Sequence, residues 1–81
     1  MMMNFEQISL IAQQISFAFE DHFFNESKRG MFHALFDRYL TQVDPSGRME
    51  PYDAIVLLGR KSPREFENMV KELKDKDLIC D

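Results

Sequence analysis

Arg60, Lys61 and Arg64 crowd around Ser62-Pro63 in a chain of 81 residues. Ser62-Pro63-Arg64-Glu65 has the pattern of a capped helix start, with Ser as N-cap, Pro at the first helical position and Glu at the third. Helix N-termini present unpaired amide hydrogens and the positive end of the dipole, so phosphate is favoured there. In the helix that follows, Phe66, Met69, Val70 and Leu73 repeat as one apolar face. Arg64, Glu67, Asn68 and Lys71 fall off that face. On duplex DNA, Arg60, Lys61 and Arg64 would hold phosphates, and Asn68 and Lys71 would reach base edges. The charge balance tempers this chemistry. The chain holds ten Lys and Arg against fourteen Asp and Glu, a formal net charge of −4. That opposes indiscriminate binding to nucleic acid. The same charges also fit a solvated outer helix face, with Glu67 and Lys71 as an i, i+4 pair.

Catalytic chemistry finds little to work with. A nucleophile needs a base within hydrogen-bond reach and a third group to orient it. His22 and His33 are the two imidazoles, and His33 sits one helical turn before Asp37, as in ordinary surface pairing. Cys80 is the one cysteine, which excludes an internal disulfide, and near a chain end precise positioning is not expected. No Gly-rich phosphate loop and no paired-His motif is present. The chain is therefore read as a non-enzyme without metal or cofactor. Asp44, Ser46, Gly47, Met49 and Asp53 do match the spacing of an EF-hand calcium loop at positions 3, 5, 6, 8 and 12. Position 1 would be the uncharged Gln42, and Pro45 and Pro51 interrupt the loop, so a plain interhelical turn is expected.

These residues need helices to position them. Hydrophobic residues make up 44% of the chain, enough for a core, and the length allows a single domain. Three Gly and three Pro punctuate it. Residues 4–23 carry no breaker, and Ile8, Ile11, Ala12, Ile15, Ala18 and Phe19 trace one helix face. Asn4 is a candidate N-cap with Gln7 at the third helical position. Leu10, Phe17 and Phe24 repeat every seven residues on another face, which calls either for burial within the chain or for a partner. A second helix over 27–43 follows the break at Asn25-Glu26-Ser27-Lys28, capped by Asn25 or Ser27, with Gly30 favouring a start near Met31. Phe32, Leu35, Phe36, Tyr39 and Val43 form its apolar stripe, which Met31 and Leu40 widen. Asp44-Pro45-Ser46-Gly47 is a turn signal. Pro51 starts a third helix over 51–58 and Gly59 stops it, although so short an apolar run also fits a buried strand. The fourth helix spans 62–76. Leu78-Ile79-Cys80 is either a strand or a docked tail. The expected fold is all-α, a compact four-helix domain. Its core is Ile8, Ile11, Ile15, Phe19, Phe32, Leu35, Phe36, Tyr39, Ile55, Leu58, Phe66, Met69, Val70 and Leu73.

Residues 51–79 resemble the helix-turn-helix portion of winged-helix regulators of the MarR-like type. The matching positions are Ala54, Leu58 and Gly59, then Ser62 as cap, then the buried face Phe66, Met69, Val70 and Leu73. Leu78-Ile79 falls where the first wing strand begins in such proteins. The resemblance implies a recognition helix starting at Ser62 and a transcription regulator that binds DNA as a dimer.

Two functions follow. In the first, the first helix supplies a dimer contact through Leu10, Phe17 and Phe24, and the fourth enters the major groove of DNA. In the second, the chain is a small acidic adaptor or inhibitor that binds another protein through that face or the group Phe17, Phe23 and Phe24. Aromatic anchors dominate protein interfaces, which suits the second. No apolar run approaches a membrane span, and Met1-Met2-Met3-Asn4 lacks the basic start of a signal peptide. A cytoplasmic location is expected.

Overall fold

The computed structural model describes residues 4–80, so Met1-Met2-Met3, on which the signal-peptide expectation rests, lies outside the described residues. Four helices follow one another, α1 (Phe5–Asp21), α2 (Glu26–Leu40), α3 (Pro51–Lys61) and α4 (Pro63–Asp75). The described residues contain no strand. The fold is all-α, and residues 51–58 are helical.

Helix α1 begins as its sequence suggests. Asn4 Oδ1 accepts from the Gln7 amide at 2.8 Å, and Gln7 Oε1 accepts from the Asn4 amide at 3.2 Å. Together these satisfy two of the orphan donors of a helix start. The helix ends at Asp21 rather than at residue 23. Asn25 is needed in extended conformation (φ −92°, ψ 103°) to cap α2, where its side chain accepts from the Lys28 amide. The chain must therefore leave α1 through a turn, His22 to Phe24. Phe24 is thus not on α1, and the seven-residue stripe ends at Phe17.

Helix α2 starts at Glu26, so Gly30 is an interior, exposed helical residue and not a starting signal. It stops at Leu40, three residues before the expected end, where the amides of Val43 and Asp44 both bond the Leu40 carbonyl. Asp44 drives this stop. Its buried carboxylate accepts from the amides of Arg48 at 3.2 Å and Met49 at 3.0 Å, while its carbonyl accepts from Gly47. Gly47 takes φ +66°, a conformation open to glycine without strain.

Helix α3 does not stop at Gly59 but runs on to Lys61. Gly59 is buried, and a Cβ added there would lie 2.6 Å from Ile8 Cγ2. The glycine brings the backbones of α1 and α3 together. Between α3 and α4 a single residue, Ser62, is non-helical (φ −138°, ψ 71°). Its amide bonds the Leu58 carbonyl at 2.7 Å and its carbonyl accepts from Phe66 at 2.9 Å. Its side chain makes no capping hydrogen bond, so the expected box with Glu65 does not form. Glu65 instead accepts from Gln42 Nε2 at 3.3 Å.

Helix α4 closes in a Schellman motif. The amide of Leu78 bonds the Leu73 carbonyl and that of Asp77 bonds Lys74, with Asp77 at φ 57°. This reversal turns Leu78 into the core, where it is 1% exposed. Of the two alternatives for 78–80, the docked tail is the one observed.

The core draws on every element: Ile8, Ala12 and Ile15 of α1; Phe32, Leu35, Phe36, Tyr39 and Leu40 of α2; Ala54, Ile55 and Leu58 of α3; Phe66, Met69, Val70 and Leu73 of α4. Ile11 and Phe19 are only partly buried and pack against its edge. Phe19 meets Phe32 and Phe36 edge-on, with ring centres 5.5 and 5.4 Å apart, and so ties the end of α1 to α2.

Candidate functional site

Large apolar side chains stand outside the core along α1 and its turn. Leu10 is 56% exposed and Phe17 is 55% exposed, on the side of α1 opposite Ile8, Ala12 and Ile15. Phe24 is 92% exposed. It is displayed on a braced turn. Arg29 Nη1 donates to the Phe23 carbonyl at 2.6 Å, its guanidinium lies 5.3 Å from the centre of the Phe23 ring, and the Phe24 ring meets Phe23 edge-on at 5.5 Å. The sequence pattern found Leu10, Phe17 and Phe24. It passed over Phe5, which is 59% exposed at the start of α1.

The basic set gathers at the junction of α3 and α4. Arg60 and Lys61 occupy the last turn of α3, and Arg64, Asn68 and Lys71 follow one another along the outer side of α4, all exposed. Two features of that surface differ from the sequence pattern. The Arg60 guanidinium lies over the Phe5 ring, 5.7 Å from its centre, so this cation faces α1. Glu67 and Asp75 share the outer side of α4 with the cations, making the face mixed in sign. Glu67 and Lys71 form no ion pair; the i, i+4 pair of α4 is Glu72 with Lys76, at 3.8 Å. The one-residue connection at Ser62 is also shorter than the three- to four-residue turn of a helix-turn-helix.

The strongest electrostatic cluster lies elsewhere. Tyr39 donates its hydroxyl to Glu72 Oε2, and Arg38 donates from Nη2 to Glu72 Oε1, joining α2 to α4. The Tyr39 hydrogen bond, then the Arg38 bond and charge, hold the Glu72 carboxyl below the usual glutamate range. The same hydrogen bond raises the Tyr39 hydroxyl above its ordinary value. The cluster ties α2 to α4 and reads as a brace.

His33 does not pair with Asp37; its ring meets Phe19 edge-on at 5.3 Å. His22 caps the end of α1 and stacks near Phe32. Among the described residues, no group of three His, Cys, Asp or Glu side chains could hold a metal. In the calcium-like loop, Asp44 spends both carboxylate oxygens on backbone amides. No helix among the described residues is long and apolar enough to cross a membrane.

A groove of about 350 Å³ runs between the second half of α1 and the docked tail. Phe17, Ala18, Leu78 and Ile79 supply its apolar lining, and Asp21 and Asp77 stand at it as well. Phe17 therefore belongs both to the exposed face and to the groove.

No protein-family model matches the chain, and neither a curated protein nor a solved structure does.

Proposed function

We propose that the chain is a small helical adaptor that binds another protein through Leu10, Phe17 and Phe24. The observation that carries this is Phe24, 92% exposed on a turn whose backbone Arg29 braces at the Phe23 carbonyl. An apolar ring held in water gains about 25 cal/mol per Å² when a partner covers it. A turn whose backbone is already braced loses less entropy on binding, and aromatic side chains are enriched among interface anchors. Leu10 and Phe17 extend the same kind of surface along α1.

A DNA-binding regulator is the second reading. Its support is the exposed series Arg64, Asn68 and Lys71 along α4 beside Lys61. The mixed charge of that face and the orientation of Arg60 toward Phe5 favour the adaptor. A homodimer through Leu10 and Phe17 would cover the same surface that the adaptor reading assigns to a different protein.

Three measurements separate these readings. Phe24→Asp and Phe17→Asp are expected to abolish recovery of a specific partner from the source cell, while Arg60→Ala with Arg64→Ala leaves it intact. A gel-shift titration of genomic fragments at low salt is expected to show no shift at micromolar protein. Sedimentation at high concentration is expected to give the monomer mass of 9.6 kDa. A salt-sensitive shift lost in the double arginine variant would establish the regulator instead, and a dimer mass abolished by Phe17→Asp would make the surface a self-contact.

A further inference from the structure

We infer that the groove between α1 and the C-terminal tail receives a basic, amphipathic segment of the partner protein. This rests on the adaptor reading and names the chemistry of what is bound. The lining combines an apolar strip with two carboxylates, and Gln14, His22 and Cys80 complete it. Phe17, Ala18, Leu78 and Ile79 form the strip, and Asp21 and Asp77 are the acids. No Lys or Arg lines the groove. The nearest cation in sequence, Lys76, is turned to Glu72 at 3.8 Å, and neither Asp21 nor Asp77 forms an ion pair among the described residues.

The placement of those acids follows from the fold. Asp21 is the last residue of α1. Asp77 holds the left-handed position of the α4 reversal that drives Leu78 inward. One local structure thus forms the groove floor and sets a carboxylate beside it. An apolar anchor would displace water from the strip, and Lys or Arg beside that anchor would meet the carboxylates. The volume is at the small end of the range for ligand clefts, which suits side-chain anchors better than a whole small molecule. A second copy fits poorly, because the net charge of −4 sets like charges against each other.

The test uses the full chain and three peptides of equal length. They share the same Leu and Phe positions, and the remaining positions are Lys, Gln or Glu. The Lys peptide is expected to shift the backbone amide signals of Ala18, Leu78 and Ile79 in a nitrogen-15 spectrum. It should also slow alkylation of Cys80, the single thiol, which is exposed and lines the groove. The Gln peptide should bind about fivefold more weakly, as loss of two exposed charge contacts implies. Asp21→Asn with Asp77→Asn should bring the Lys peptide down to the level of the Gln peptide. Asn is accepted in the left-handed conformation, so this variant keeps the reversal. Equal affinity for all three peptides, no effect of the double variant, or no shift at Ala18, Leu78 and Ile79 overturns the inference. Shifts confined to Leu10 and Phe24 overturn the groove while leaving the adaptor reading in place. That reading fails separately, if Phe24→Asp leaves recovery of the cellular partner unchanged.

Discussion

Gly59 of α3 lies so close to Ile8 of α1 that a Cβ at position 59 would stand 2.6 Å from Ile8 Cγ2. Ile8 is buried and β-branched, so its methyl group cannot swing aside freely. Gly59→Ala should therefore destabilise the protein by about 1–2 kcal/mol, despite the better helix propensity of Ala. The decisive check is a double-mutant cycle by urea denaturation. In the Ile8→Ala background the penalty at position 59 should shrink or reverse. An additive result would place the constraint elsewhere.

Phe36 and Leu73 come from α2 and α4 and are 8% and 0% exposed. Truncation of either to Ala should cost roughly 2–5 kcal/mol, a large share of the stability of a domain this size. Chemical denaturation with unchanged slope would report it. Phe24→Ala, by contrast, should leave stability nearly unchanged, because its side chain is 92% exposed.

The Glu72 brace makes stability depend on pH at both ends. Glu72 has its pKa lowered, first by the Tyr39 hydroxyl and then by Arg38. A depressed acid contributes stability that is fully present above its unfolded value, about 4.3, and is lost as pH falls through the folded one. Tyr39 is shifted upward, so its contribution is complete below its unfolded value, about 10, and is lost as pH rises through the folded one. Melting temperature against pH should fall below about pH 4 and above about pH 10. Glu72→Gln should flatten the acid limb and Tyr39→Phe the alkaline limb. Unchanged limbs would show that the brace carries no linkage.

Asp77 adopts φ 57°, which costs an L-residue energy that glycine does not pay. Asp77→Gly should raise stability by about 0.5–1 kcal/mol, and Asp77→Ala should lower it. Thermal denaturation of the pair separates backbone strain from charge, since both variants remove the same carboxylate.

Much of this architecture is legible in local signals. Asn4 with Gln7 and Pro51 mark helix starts that form where the pattern puts them, because a cap depends on residues within one turn. The apolar stripes of α2 and α4 pick out the core for the same reason. Gly59 reads as a helix stop because the contact that explains it, Ile8, is more than fifty positions away in the chain. The Ser62 box does not form because that one residue must end α3 and begin α4, a demand set by how the helices pack. Phe24 looks like part of a helical stripe until the Asn25 cap bends the chain away from α1. The groove was hidden for a further reason: its two sides, α1 and the tail, meet only after Leu78 docks.

The most direct test of the adaptor reading is photo-cross-linking in the source cell from a reactive amino acid placed at position 24, with position 71 on α4 as the comparison. One defined protein adduct is expected from position 24, lost when Phe17→Asp is added, and none from position 71. Adducts to nucleic acid from position 71, with no protein adduct from position 24, would contradict the adaptor reading.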